Sequence, residues 1–176
     1  MLNSNHDSSP KEGNPCQTEP EPLNEKGDNK EEDDDEDDDI VYPDLDDEEV
    51  NIEEYIFDYD FYYDKYPDVR LECPHNRARL YQHWKNIGIR KGYACSPVLD
   101  ISFYYREHLS MNPDISFGIA YQHFLKVGIQ RRLASSQWYN PDAYCRRYPK
   151  LKRYNPRQLM MHYISIGRFR EMLASE

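Results

Sequence analysis

The sequence predicts an all-α fold, with three short helical-hairpin repeats of about 40 residues behind a disordered acidic N-terminal tail. Three observations lead there. The stretch YQHWKNIGIRKG at 81–92 returns as YQHFLKVGIQRR at 121–132 and, loosely, as MMHYISIGRFRE at 160–171. In each copy the apolar residues fall at i, i+3, i+4 and i+7, the period of one buried helix face. The charge also reverses near residue 55. Residues 1–54 hold 22 Asp and Glu against three Lys, whereas residues 55–176 hold 19 Lys and Arg against 11 Asp and Glu. The net values are −19 and +8, so the overall −11 conceals a basic domain.

Residues 1–54 are rich in proline and polar residues, and the run EEDDDEDDD occupies 31–39. Such a segment buries too little apolar surface to offset the entropy of ordering, which predicts a disordered tail. It serves either as a solvating arm or as a contact for a basic partner, the chain's own basic domain included. The apolar-acidic stretch IVYPDLDDEEVNIEEYIF at 40–57 has no clear period and is a candidate docking segment at the end of the tail.

The basic domain, 55–176, divides into repeats at 57–97, 99–136 and 139–175. The first helix of each opens at Asp58, Asp100 or Asn140, residue types whose side chains accept from the free N–H groups of a first turn. Phe57, Leu99 and Tyr139 stand just before these caps. Each pairs with Tyr62, Tyr104 or Tyr144 five positions on, the spacing of a hydrophobic staple. Pro141 takes the first helical position of the third copy, where its missing N–H costs nothing. Each helix stops early, because Pro67, Pro113 or Pro149 pushes the residue before it out of helical space. The second copy runs about one turn longer before its proline.

Asn76, Ser116 and Asn155 cap the second helices, and Pro156 again follows a cap. Leu80, His83, Trp84 and Ile87 form one buried face. Ala120, His123, Phe124 and Val127 repeat it, as do Leu159, His162, Tyr163 and Ile166. Gly88, Gly128 and Gly167 then fall just past the helix end, where a left-handed backbone favours glycine. Ile89 and Ile129 follow and fold back on Trp84 and Phe124; the third copy has Arg168 and Phe169 there. Lying on the apolar face, His83, His123 and His162 are expected to be structural, with a backbone carbonyl of the adjacent hairpin as ring-nitrogen partner. Stacked repeats set equivalent atoms on the order of 10 Å apart. Zinc ligands must converge to about 2 Å from the ion.

The pattern of aromatic-Asp, Tyr-rich first helix, Pro-Asp and then His-aromatic-x-x-x-Gly resembles the tandem hairpin repeats common in large DNA viruses of amoebae. Similar units accompany glycosyltransferases in bacterial proteins. The resemblance spans about residues 57–175. The family's usual ending is Glu-Gly-Arg, whereas those columns here read Lys91-Gly92-Tyr93, Arg131-Arg132-Leu133 and Arg170-Glu171-Met172. A basic residue replaces the acidic one each time. The resemblance implies an accessory or interaction role, as a virion or host-factor-binding component, without a catalytic residue.

No P-loop, dinucleotide-binding turn, paired-carboxylate motif or nucleophile motif occurs in the basic half, so no enzymatic activity and no cofactor is expected. Cys16, Cys73, Cys95 and Cys145 form no CxxC pair. Cys73 with His75 and His83 is a cluster of metal-binding residue types, but its spacing matches no common site. Without a signal peptide, a myristoylation glycine or a long apolar run, the chain reads as a soluble intracellular protein with no membrane partner, in host cytoplasm or virion if viral. The leading expectation is a non-enzymatic helical-repeat protein that binds a protein partner on an extended surface. The alternative is nucleic-acid binding. Arg146, Arg147, Lys150, Lys152, Arg153 and Arg157 interleave with Tyr144, Tyr148 and Tyr154, so cations can meet phosphate while rings stack on bases. The acidic tail would then shield that surface. Oligomeric state is left open.

Overall fold

The computed structural model of the protein describes residues 50–175. The predicted disorder of the tail, and Cys16 with it, lies outside the described residues as far as residue 49. Residues 50–54, which the sequence reading counts with the tail, are among the described residues. The Asn51 side chain accepts from the Glu53 N–H at 3.1 Å and caps a short helix, α1, Ile52–Tyr55. Ile56 and Phe57, which end the apolar-acidic stretch, are buried in the core.

The described chain is mostly helical. After α1 come α2 (Tyr59–Lys65), α3 (Pro67–Glu72) and α4 (Arg77–His83). α4 runs through a π-helical turn, Trp84–Gly88, into α5, Ile89–Lys91. Next stand α6 (Ile101–His108) and α7 (Phe117–His123), the latter extended by a π turn at Phe124–Gly128. α8 (Pro141–Arg147), a 3-10 segment (Pro149–Arg153) and α9 (Pro156–His162) follow, and α9 ends in a π turn at Tyr163–Gly167. Two short strands depart from the all-helical expectation. β1 (Ala94–Ser96) pairs antiparallel with β2 (Leu99–Asp100), Ala94 opposite Asp100 and Ser96 opposite Leu99. Pro97 presets the turn between them, and Ser96 Oγ accepts the Val98 N–H at 3.2 Å.

Six side-chain caps stand where the sequence places them. Asp58, Asp100 and Asn140 accept from the N–H groups of Phe61, Phe103 and Ala143 at 3.0, 3.0 and 3.2 Å. Asn76, Ser116 and Asn155 do the same for Arg79, Ile119 and Gln158 at 3.1, 3.3 and 2.9 Å. Gln158 also accepts the Asn155 N–H, completing a capping box. The prolines have a second use that the sequence reading misses. Pro67 and Pro149 end one helix and, with φ already set, begin the next element, α3 or the 3-10 segment. Val69 and Leu151 from those elements are fully buried.

The glycine expectation is overturned. Gly88 has φ −58° and lies within a continuous helix. The left-handed residues come four positions later, at Gly92 (φ 73°), Arg132 (54°) and Glu171 (54°). There the Tyr93, Leu133 and Met172 N–H groups donate to the carbonyls of Gly88, Gly128 and Gly167 at 2.9, 3.0 and 2.8 Å. This is the 6→1 bond of a Schellman close, one turn later than expected. Ile89 and Ile129 are accordingly buried helical residues, not residues folding back past a helix end.

The core is aromatic. Trp84 is fully buried between Phe57, at 5.5 Å between ring centroids, and Tyr121, edge-on at 5.3 Å. A ring of that size removes on the order of 200 Å² from water, roughly 5 kcal/mol. An exposed ion pair such as Arg106–Glu107 contributes ~1 kcal/mol or less, so ring burial dominates where Trp84 of the π turn meets Tyr121 of α7. Backbone bonds close each stretch of chain on itself. The N–H groups of Asp58, Asp100 and Asn140 donate to the carbonyls of Cys95, Ser135 and Ala174 at 3.0, 2.9 and 2.7 Å. The two ends of the described chain also meet. Arg168 Nη2 donates to Asp58 Oδ2 at 2.7 Å, the Tyr55 and Ser165 hydroxyls bond, and the Arg157 guanidinium donates to the Val50 carbonyl.

Candidate functional site

Each of the three histidines meets a tyrosine from an earlier helix, α2, α6 or α8. The Tyr62 hydroxyl lies 2.9 Å from His83 Nδ1, the Tyr104 hydroxyl 2.8 Å from His123 Nδ1 and the Tyr144 hydroxyl 2.9 Å from His162 Nδ1. These are the staple tyrosines, so the carbonyl partner expected from sequence is replaced by a phenol. The same hydroxyl explains the glycines. A Cβ on Gly88 would stand 2.5 Å from the Tyr62 oxygen, one on Gly167 2.6 Å from the Tyr144 oxygen, and one on Gly128 would strike Tyr104. Each tyrosine tip therefore rests between a histidine ring and a bare backbone.

The π turn makes this possible. Histidine and glycine are five residues apart, which on an α-helix is about 140° round the axis. An i→i+5 turn brings the glycine back above the histidine, and the Ile129 and Arg168 N–H groups make those bonds to Phe124 and Tyr163 at 3.0 and 2.9 Å. The expected apolar face shifts as a result: Ile87, Val127 and Ile166 are only half-buried, whereas the three glycines are buried. The spacing His-aromatic-x-x-x-Gly was the signal in the sequence, read there with the wrong period.

Burial, with Arg153 and Arg170 nearby, holds the His162 imidazole at about 4, well below its ordinary 6.5. Burial raises the Tyr62 hydroxyl and pushes that of Tyr104 up to about 12. Groups so placed stay neutral near pH 7 and hold one another in position. His83 Nε2 faces Glu72 Oε2 at 3.4 Å. His75 bonds Asp60 at 2.8 Å and stacks on Tyr63, away from any joint site with Cys73 and His83. Among the described residues no three His, Cys, Asp or Glu side chains stand together as metal ligands. Cys73, Cys95 and Cys145 are free thiols, raised by burial.

The basic residues form a ridge at one corner. Arg146 and Arg147 end α8, Lys150, Lys152 and Arg153 follow on the 3-10 segment, and all five are exposed. Arg157 stands apart, half-buried in the first turn of α9 with its guanidinium on the Val50 carbonyl. The tyrosines between them face inward. Tyr144 is fully buried on His162, Tyr154 is buried, and the Tyr148 hydroxyl accepts the Leu173 N–H at 3.2 Å. The Arg153 guanidinium lies over the Tyr154 ring, 5.2 Å from its centroid, so that ring is taken up within the chain.

A second surface escaped sequence reasoning. A groove of about 470 Å³ is lined by Phe61, Pro97, Trp138, Tyr163, Met172 and Leu173, with Arg168 and Glu171 supplying charge. Trp138 is 53% exposed and Leu173 57%, unusual for side chains of this kind, and Phe169 is exposed in an adjoining hollow beside Arg168. Trp138 belongs to no recurring column; Val98, at the equivalent junction, is fully buried. An aromatic residue in a junction was the available signal. Among the described residues, no helix is long and apolar enough to cross a membrane. No family model, no curated protein and no solved structure matches the chain.

Proposed function

We propose that the chain is a non-enzymatic interaction protein built from three copies of one helical unit, and that it binds a protein partner through the groove at Trp138 and Leu173. Three Tyr–His–Gly constellations, three pairs of caps and three backbone closures support the reading of three copies. The half-exposed Trp138 carries the reading of protein binding. A half-exposed tryptophan lining an apolar hollow, with arginine in the same lining, is the composition of an interface hot spot. The resemblance to repeats of amoebal DNA viruses extends the proposal to a virion or host-factor-binding component. A second reading, polyanion binding with nucleic acid as the natural partner, is favoured by the five exposed cations of the ridge.

Affinity purification with the full chain, with and without nuclease, and with a Trp138→Asp/Leu173→Asp variant of unchanged thermal stability, separates the two. A partner that survives nuclease and is lost from the variant supports the groove. One that binds the variant equally well overturns it. Loss on nuclease treatment transfers the assignment to the ridge.

A further inference from the structure

We propose that the groove beside Trp138 takes a second copy of this chain, in a two-fold symmetric dimer whose Phe169 side chains each enter the other copy's groove. The inference rests on the groove reading above and names the partner.

Two hollows lie side by side. Phe61, Trp138 and Leu173 line the groove of about 470 Å³, and Phe169 stands in the adjoining hollow of about 340 Å³. Arg168 lines both, so it forms the rib between them. Its guanidinium donates to Asp58 at 2.7 Å, which leaves the rib without net charge. A two-fold axis through this rib turns each hollow of one copy onto the other hollow of its partner. Phe169 is 80% exposed and on that axis faces the apolar socket at Trp138 and Leu173. One patch thus holds both knob and socket. An isologous contact requires this, because residue i must meet j while j meets i.

The charges obey the same rule. Glu171 lines the groove, and Arg77 lines the hollow of Phe169. Both are exposed, and neither side chain has a hydrogen-bond or ion-pair partner among the described residues. The axis that seats Phe169 sets Glu171 against the partner's Arg77 twice per dimer, opposite in sign each time. Area sets the strength. Trp138 and Phe169, 53% and 80% exposed, offer roughly 250 Å² against ~800 Å² on each side of a standard interface. The rims of the two hollows supply the remainder, which points to a dimer with a Kd on the order of micromolar.

The test is sedimentation equilibrium of the full chain over about 1–200 μM. Salt is held at ~150 mM, where repulsion between two chains of net charge −11 is screened. A monomer–dimer equilibrium is expected. Phe169→Ala, which removes an exposed ring and should leave thermal stability unchanged, should raise Kd at least ~10-fold. Glu171→Arg and Arg77→Glu should each do the same, because each sets like charges face to face at both contacts. An equimolar mixture of those two single variants should regain the original affinity, since every contact then joins opposite charges. A chain monomeric throughout, a dimer indifferent to Phe169→Ala, or a mixture no tighter than its components overturns the inference. The groove reading stands or falls separately. If the chain is monomeric but loses a captured partner through Trp138→Asp/Leu173→Asp, only the second copy is dismissed.

Discussion

Gly128 shows how one position depends on a residue far away in sequence. Its backbone ends the π turn without a left-handed φ, and what excludes a side chain is the Tyr104 ring tip. Gly128→Ala should cost roughly 2–3 kcal/mol, because the phenol must move off His123 to admit the methyl group. Gly118→Ala, whose new Cβ meets only Ser116 Oγ at 3.7 Å, should be neutral or stabilise by up to ~1 kcal/mol. Thermal unfolding ranks them, and Tyr104→Phe in the Gly128→Ala background should recover part of the loss. Equal losses at 118 and 128 would dismiss the tyrosine contact. His162 gives a pH dependence. Its folded value of about 4 lies below the unfolded 6.5, so the unfolded chain takes up the proton first as pH falls. The stability of the neutral form is complete above pH 6.5 and is lost progressively down to about pH 4, by at most ~3 kcal/mol. Denaturant titrations at pH 7, 5.5 and 4 check this, and His162→Gln should flatten the part of the slope due to this residue.

At the scale of the element, the helix starts were legible and the helix ends were not. A cap is a bond between a side chain and a backbone N–H two or three residues away, so Asp58, Ser116 and Asn155 declare themselves without knowledge of neighbours. The π turns give no such local notice, since they re-aim His83 and Gly88 toward a tyrosine on another helix. Asp58 combines both kinds of information. One oxygen caps α2 and the other accepts from Arg168, 110 residues away. Asp58→Ala should therefore lower stability by about 2 kcal/mol against about 1 for the cap alone in Ser116→Ala, with Asp58→Asn in between. Chemical unfolding of the three variants decides it. Identical losses for Asp58→Ala and Ser116→Ala would mean that the Arg168 contact adds nothing.

At the scale of the described residues as a whole, the meeting of their two ends changes what kind of object they form. In an open stack of repeats each unit touches only its neighbours and a terminal unit is removable at the loss of one interface. Here Asp58, Tyr55 and Val50 all bond to residues between Arg157 and Arg168. A chain ending at residue 138 loses those contacts together with the normal junction, and is expected to lose cooperative unfolding altogether. Calorimetry of that truncated chain gives the answer: a sharp transition close to that of the full protein would restore the open-stack description. The Trp138 groove belongs to this scale too, being lined by residues as distant as Phe61 and Leu173.

By itself the sequence determines the mainly helical character, the positions of six caps, the buried pairs Leu80 and Trp84, Ala120 and Phe124, and Leu159 and Tyr163, and the division into an acidic half and a basic half. Each follows from interactions between residues a turn or less apart, or from composition. Only the tertiary structure decides why the recurrent glycines are glycine, what the recurrent histidines hold and how the two ends of the described residues meet. The Tyr–His pairs join residues 21, 19 and 18 positions apart. Contacts at that range depend on how finished helices dock, and a local pattern records the residue that results without naming the partner that requires it.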